Sequence, residues 1–223
     1  MVFSFFFAIF AATMLDDYKT NKLRVQQFGL TATVKDDRGK EHYFYRGHEY
    51  IEIGGVKWAV TNIGAEKETD GGLYFAFGEI QGYITEQVLK GKRKFNENEY
   101  TDVNFDAVKA HWGGKWRLPT EVEFRALIYS PNRWVENYEG SGVNGRLFTD
   151  TTDSSKKLFF PAVGLCHDND VHSVGFLGFY WSSSLDTNNV TYGRHLHFNG
   201  WYSHIGNHFR RLNGFPIRGV VGD

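Results

Sequence analysis

The chain has 223 residues, a formal net charge of −1 at pH 7, 41% hydrophobic residues and 17% aromatic residues. That is enough apolar material for one large domain, or one domain with a small appendage, and the near-zero charge excludes a general basic field for nucleic acid or an anionic membrane. Cys166 is the only cysteine, which excludes an intramolecular disulfide.

Met1–Met14 (MVFSFFFAIFAATM) is strongly apolar, but shorter than the roughly 20 apolar residues that a membrane-spanning helix needs. It resembles the apolar part of a signal sequence without the basic start. Three readings stay open: a packed N-terminal or oligomer-contact element, a signal or anchor remnant, and an extraneous leader. Asp16–Gln27 is polar with scattered apolar residues and predicts a short helix ending near Gly29. Leu30–Val34 alternates as a strand, Asp36–Gly39 carries turn residues, and His42–Arg46 is placed to pair back as a hairpin. Tyr50–Ile53 and Trp58–Asn62 predict two more short strands around Gly54 and Gly55. Leu73–Gly78 is aromatic and glycine-flanked. Residues 80–101 are polar and predict an exposed insertion, whose basic run Lys90, Lys92, Arg93 and Lys94 reads as a solvated loop rather than a phosphate site.

Two helices have stronger signals. Phe105, Val108 and Trp112 recur at helical spacing, with Asn104 or Asp102 as a cap and Gly113–Gly114 as the stop. Thr120-Glu121-Val122-Glu123 reads as a capping box after Pro119, followed by an apolar stripe of Phe124, Leu127 and Ile128 and a stop at Pro131. Beyond Leu158 the pattern is of short strands in Gly-, Ser- and Asn-rich loops. The expected buried positions there are Phe159–Phe160, Tyr180–Trp181, Leu196 with Phe198, and Phe215 with Ile217.

This last third has an unusual composition. From Leu158 to Asp223 there is no Lys, Glu, Gln or Met, whereas residues 1–157 hold 32 of them, a rate that predicts about 13 in the 66-residue tail. The tail also carries six of the nine histidines. Every codon for Lys, Glu, Gln, Met or Trp ends in a purine. A segment diversified at the first two bases of codons such as AAC would lack those residues. Ordinary β-loop composition is also poor in Lys, Glu and Met, so composition alone leaves both readings open.

Six motifs occur in order: Trp58–Ala65 (WAVTNIGA), Tyr74–Glu79 (YFAFGE), Trp116–Phe124 (WRLPTEVEF), Phe160–Gly164 (FPAVG), Tyr180–Ser184 (YWSSS) and Asn213–Arg218 (NGFPIR). Together, over roughly residues 50–220, they resemble the Fibrobacter succinogenes major paralogous domain, common in gut Bacteroidetes and their phages. The resemblance implies an α+β, C-type-lectin-like fold akin to the formylglycine-generating-enzyme domain, with two short helices, small antiparallel sheets and much loop. It also implies a C-terminal region rewritten by a diversity-generating retroelement, which mutates adenines. The domain organisation expected is 1–49 as an apolar segment with a small hairpin or oligomerisation element, and 50–223 as the lectin-like domain, variable over about 165–213. Leu196, Phe198, Asn213, Gly214, Phe215 and Arg218 match the family's frame. Trp181 and Trp201 cannot arise from AAC-like codons and read as fixed scaffold.

Strand alternation turns Leu196 and Phe198 inward and predicts that His195, His197 and Asn199 project outward together. Tyr202, Ser203, His204, Asn207, His208 and Phe209 follow in a loop-rich stretch. Cys166, His167, Asp168, Asp170 and His172 form a second cluster after Pro161–Gly164, and Arg194 is placed to join them. A rigid scaffold holding changeable loops suits binding, with aromatic residues and Arg supplying contact area and Asn, Ser and Asp supplying hydrogen bonds. A rival use of His195, His197, His204 and His208 is zinc ligation, although their spacing matches no strong zinc signature. The Glu-Pro-Asn, Gln-Pro-Asp and Trp-Asn-Asp motifs of calcium-dependent lectins are absent.

The expectation is a non-enzymatic protein with no cofactor that binds a cell-surface receptor, protein or glycan, without nucleic acid. It would sit at the tip of a phage tail fibre as part of the virion, as a homo-oligomer with a trimer as one candidate. A bacterial surface or secreted adhesin is the alternative of the same class. A formylglycine-generating-like enzyme using Cys166 is the alternative of another class, although those enzymes use a cysteine pair.

Overall fold

A computed structural model describes residues 17–95 and 104–223, and the apolar segment Met1–Met14 lies outside the described residues. The chain divides into two compact units, Met1–Tyr50 and Ile51–Asp223. It is an α+β protein with four α-helices and several small antiparallel sheets among the described residues.

In the first unit, helix α1 (Tyr18–Gln27) starts at Asp17, whose carboxylate accepts the Thr20 amide at 2.9 Å, and ends at Phe28 just before Gly29 in the left-handed region. Strands β1 (Ala32–Lys35) and β2 (Glu41–Tyr45) form the expected hairpin. The Asp36 carboxylate shapes its turn by accepting the Arg38 and Lys40 amides. Strand β3 (His48–Ile53) pairs with β2 after a tight turn in which Arg46 and Gly47 both have positive φ, at 50° and 83°. A Cβ on Gly47 would come within 2.9 Å of the Gln26 carbonyl oxygen, so only glycine fits. Val25, Val34 and Phe44 make this unit's small core.

In the second unit Gly54 and Gly55 turn the chain into β4 (Val56–Ala59). That strand stops three residues short of the expected Asn62, whose side chain turns inward to the Gly71 carbonyl and Arg218. β4 pairs with β14 (Val220–Val221), which pairs on its other side with β5 (Trp116–Arg117).

The stretch expected to be an exposed insertion holds helix α2 (Thr85–Leu89), and Val88 and Phe95 within it are fully buried. Helix α3 (Ala107–Trp112) corrects the expected cap. Asp106 takes that place, one carboxylate oxygen accepting the Lys109 amide and the other the Leu118 amide, each at 2.9 Å. Phe105 therefore precedes the helix and is exposed, and the buried stripe is Ala107, Val108 and Trp112.

Helix α4 (Glu121–Tyr129) forms behind the expected capping box. The Glu123 amide donates to the Thr120 hydroxyl at 3.2 Å, and the Thr120 amide donates to the Glu123 carboxylate at 2.7 Å. Arg117 adds a two-pronged grip on that carboxylate, at 2.6 and 2.8 Å. Thr120→Ala orphans the Glu123 amide and is expected to lower the unfolding free energy by about 1 kcal/mol, read by urea denaturation. An unchanged midpoint would mean that the arginine grip alone holds the helix start.

Three antiparallel sheets complete the unit. One joins β6 (Asn132–Val135), β7 (Gly145–Thr149) and β8 (Lys157–Pro161). The second is the hairpin β9 (Leu165–His167) and β10 (Asp170–His172). The third joins β11 (Gly178–Leu185), β12 (Gly193–Phe198) and β13 (Ser203–Gly206). Ile53, Trp58, Phe124, Leu127, Phe148, Phe160, Tyr180, Leu196, Phe198 and Val220 form the main core between them, and all the positions expected to be buried beyond Leu158 are buried. Among the described residues no helix is long and apolar enough to cross a membrane.

Candidate functional site

The β11–β12–β13 sheet has two different faces. Tyr180, Leu196 and Phe198 face the main core. His195 and His197 lie opposite, as alternation requires, but that face is not open to solvent. His195 is 0% exposed, His197 8% and Asn199 8%, which corrects the expectation of an outward row. The covering comes from the strands on either side and from the chain that follows. Phe179 stacks on His197 at 4.5 Å between ring centroids, Trp181 meets His195 edge-on at 5.6 Å, and Phe209 and Phe215 lie 5.6 and 5.2 Å from His195. The consecutive aromatics Phe179–Trp181 in the neighbouring strand carried a signal for this, since a strand with large apolar groups on both faces is buried on both.

A histidine cluster results. His204 pairs directly across the strands with His197, their rings 4.8 Å apart, and His208 lies 5.4 Å from His195 and 6.1 Å from His197. Tyr202 packs on His204 and His197, at 5.2 and 5.8 Å. The His195 Nδ1 donates to the Gly193 carbonyl at 3.1 Å, while its Nε2 abuts Gly206, where an added Cβ would sit only 2.2 Å away. That Nε2 and both ring nitrogens of His197 are buried without a hydrogen-bond partner. Burial pushes the His195 pKa down to about 3 and that of His197 to about 4, with the neighbouring imidazoles adding to both. His204 and His208 are lowered as well, first by burial and, for His204, also by His208.

The β12–β13 turn is locked from inside. The Asn199 side-chain oxygen accepts the Trp201 and Tyr202 amides at 2.8 and 3.1 Å, and its carbonyl accepts the guanidinium of the buried Arg146 at 2.9 Å. Arg146 is held in turn by Asn132. On this tip Trp201 is 89% exposed, whereas Trp181 is buried and donates its indole N–H to the Phe75 carbonyl. Tyr202, Asn207 and His208 are exposed, and Ser203, His204 and Phe209 are half-buried. Arg194 is half-buried and engaged by Asp186 at 3.2 Å and Glu121 at 3.5 Å.

The β9–β10 hairpin carries the second group. Asp168, Asp170 and His172 are exposed and His167 is half-buried, with the rings of His167 and His172 6.4 Å apart. Cys166 departs from the expected surface position. It is fully buried with Tyr74, Ala76, Val88, Phe95 and Leu212, its backbone exchanges hydrogen bonds with Gly214, and burial pushes its thiol far above the usual range. Gly164, with φ of 66°, precedes the hairpin at a point where a Cβ would overlap the His172 carbonyl oxygen, which gives a physical reason for that glycine. Its amide bonds to the Leu177 carbonyl and so ties the hairpin to the start of β11.

Sequence reasoning passed over Arg146 and the exposed Phe176 and Val174 in the loop before β11. Arg146 had no sequence signal, because its role depends on meeting a turn more than fifty residues away. No protein-family pattern matches this chain, and neither curated proteins nor solved structures show significant similarity to it.

Proposed function

We propose that this chain is a non-enzymatic binding protein of C-type-lectin-like fold whose C-terminal loops form a variable face for a cell-surface receptor, protein or glycan. The place that suits it best is the tip of a phage tail fibre, as one subunit of a homo-oligomer. The observation that carries this reading is the division of labour within the tail. Asp168, Asp170, His172, Tyr202, Asn207 and His208 are exposed on hairpins and loops, while Leu196, Phe198, Asn213, Gly214, Phe215 and Arg218 are buried beneath them. Exposed positions tolerate exchange and buried ones do not. The tail's missing Lys, Glu, Gln and Met fit the same reading. The buried, strongly protonated thiol of Cys166 weighs against a thiol-dependent enzyme.

Sequencing the flanking DNA tests this. A near-repeat of the segment encoding residues 165–218, beside a reverse-transcriptase gene and differing almost only at adenines, is expected. The differing codons should fall on the exposed positions above and spare the buried frame. If no repeat exists, or if its differences fall on Leu196, Phe198 and Phe215, the diversified-face reading fails.

A further inference from the structure

We propose that His197 and His204, with His208 as a third ligand, form a seat for a divalent transition-metal ion of the copper, nickel and zinc class. His197 and His204 stand directly opposite each other on β12 and β13, with ring centroids 4.8 Å apart and planes inclined at 64°. Two imidazoles on one ion, each at about 2.1 Å, place their centroids roughly 5 Å apart. The second observation is the orphaned chemistry of His197. Its ring is nine-tenths buried, held flat against Phe179, and neither nitrogen has a hydrogen-bond partner. An unpartnered buried imidazole is costly in an apolar site, and a metal ion satisfies it.

Among the described residues no three side chains of His, Cys, Asp or Glu yet converge on a point. His208 supplies the third position by rotation of an exposed side chain whose ring centroid is 6.1 Å from that of His197. His195 is not a ligand, because one nitrogen donates to Gly193 and the other faces Gly206. An all-nitrogen set favours copper over nickel and zinc, and gives calcium and magnesium nothing they prefer.

The test is calorimetric titration of untagged full-length protein at pH 7.5 with Cu2+, Zn2+ and Ca2+, followed by electron paramagnetic resonance of the copper adduct. One copper per chain is expected, with the signature of two or three nitrogen ligands, weaker zinc binding and no heat from calcium. His204→Ala and His204→Gln, each checked for native circular dichroism, should weaken copper binding by at least about tenfold, whereas His172→Ala should leave it unchanged. The proposal is overturned if copper does not bind, if binding survives in whichever His204 variant folds, or if the loss appears in His172→Ala instead.

Discussion

Arg218→Ala is expected to destabilise the second unit by at least about 4 kcal/mol, which places it among the most damaging single substitutions available to this chain. The guanidinium is fully buried. It donates to the Asn62 side-chain oxygen at 2.7 Å, to the Ala59 carbonyl at 3.1 Å, to the Phe159 carbonyl at 3.2 Å and to the Val60 carbonyl, and it lies 4.6 Å from the centre of the Phe160 ring. Burial lowers its pKa, but a guanidinium stays charged in any protein. Alanine leaves four acceptors without a donor in a dry site, and each orphan costs about 1–3 kcal/mol before any cavity is counted. Arg218→Lys keeps the charge but loses the planar fork, so it should recover no more than about half of the loss. Urea denaturation of both variants checks this. A loss under about 1 kcal/mol for alanine would show that water reaches those carbonyls and that Arg218 does not staple β4 to β8.

The second large effect is acid lability. His195 is buried and neutral, with its pKa near 3, and His197 follows with its pKa near 4, both below the ordinary 6.5. The unfolded chain binds these protons more readily than the folded one. The stability contributed by the neutral rings is therefore complete above about pH 6.5 and is lost as the pH falls from there towards 3–4. Each pH unit in that window removes about 1.4 kcal/mol per ring. At pH 4.5 the pair should have surrendered on the order of 3–5 kcal/mol, comparable with the total stability of many domains. Thermal melts between pH 8 and 4 should show a fall in Tm that begins near 6.5. His195→Leu should flatten the fall by roughly half, whatever it does to Tm at pH 8. A fall that starts only below pH 5, as carboxylates alone would give, contradicts a neutral buried pair.

What was legible in the sequence was local. The Thr120–Glu123 capping box and the turn chemistry at Asp36–Gly39 act within a few residues, and both formed where expected. The cap of α3 was misplaced because Phe105 matches the helical spacing by position alone, while Asp106 is the residue whose carboxylate can serve both the helix and Leu118. Strand alternation correctly separated His195 and His197 from Leu196 and Phe198. It could not say what lies above the second face, because Phe209 and Phe215 arrive there from further along the chain. The same limit applies to Cys166, whose burial depends on Phe95, Leu212 and Gly214. The exposure of Trp201 carries no local signal either, since it depends on a turn held by Asn199 and Arg146.

The placement of β14 has a consequence for synthesis. Val220 sits between Trp58 and Arg117, two strands made far earlier, so the sheet stays open until nearly the whole second unit has left the ribosome. A reading-frame error anywhere between residues 165 and 213 would erase both Arg218 and that final strand. Without those residues Trp58 and Arg117 lie on strands with no partner between them, and β4 loses its tie to β8.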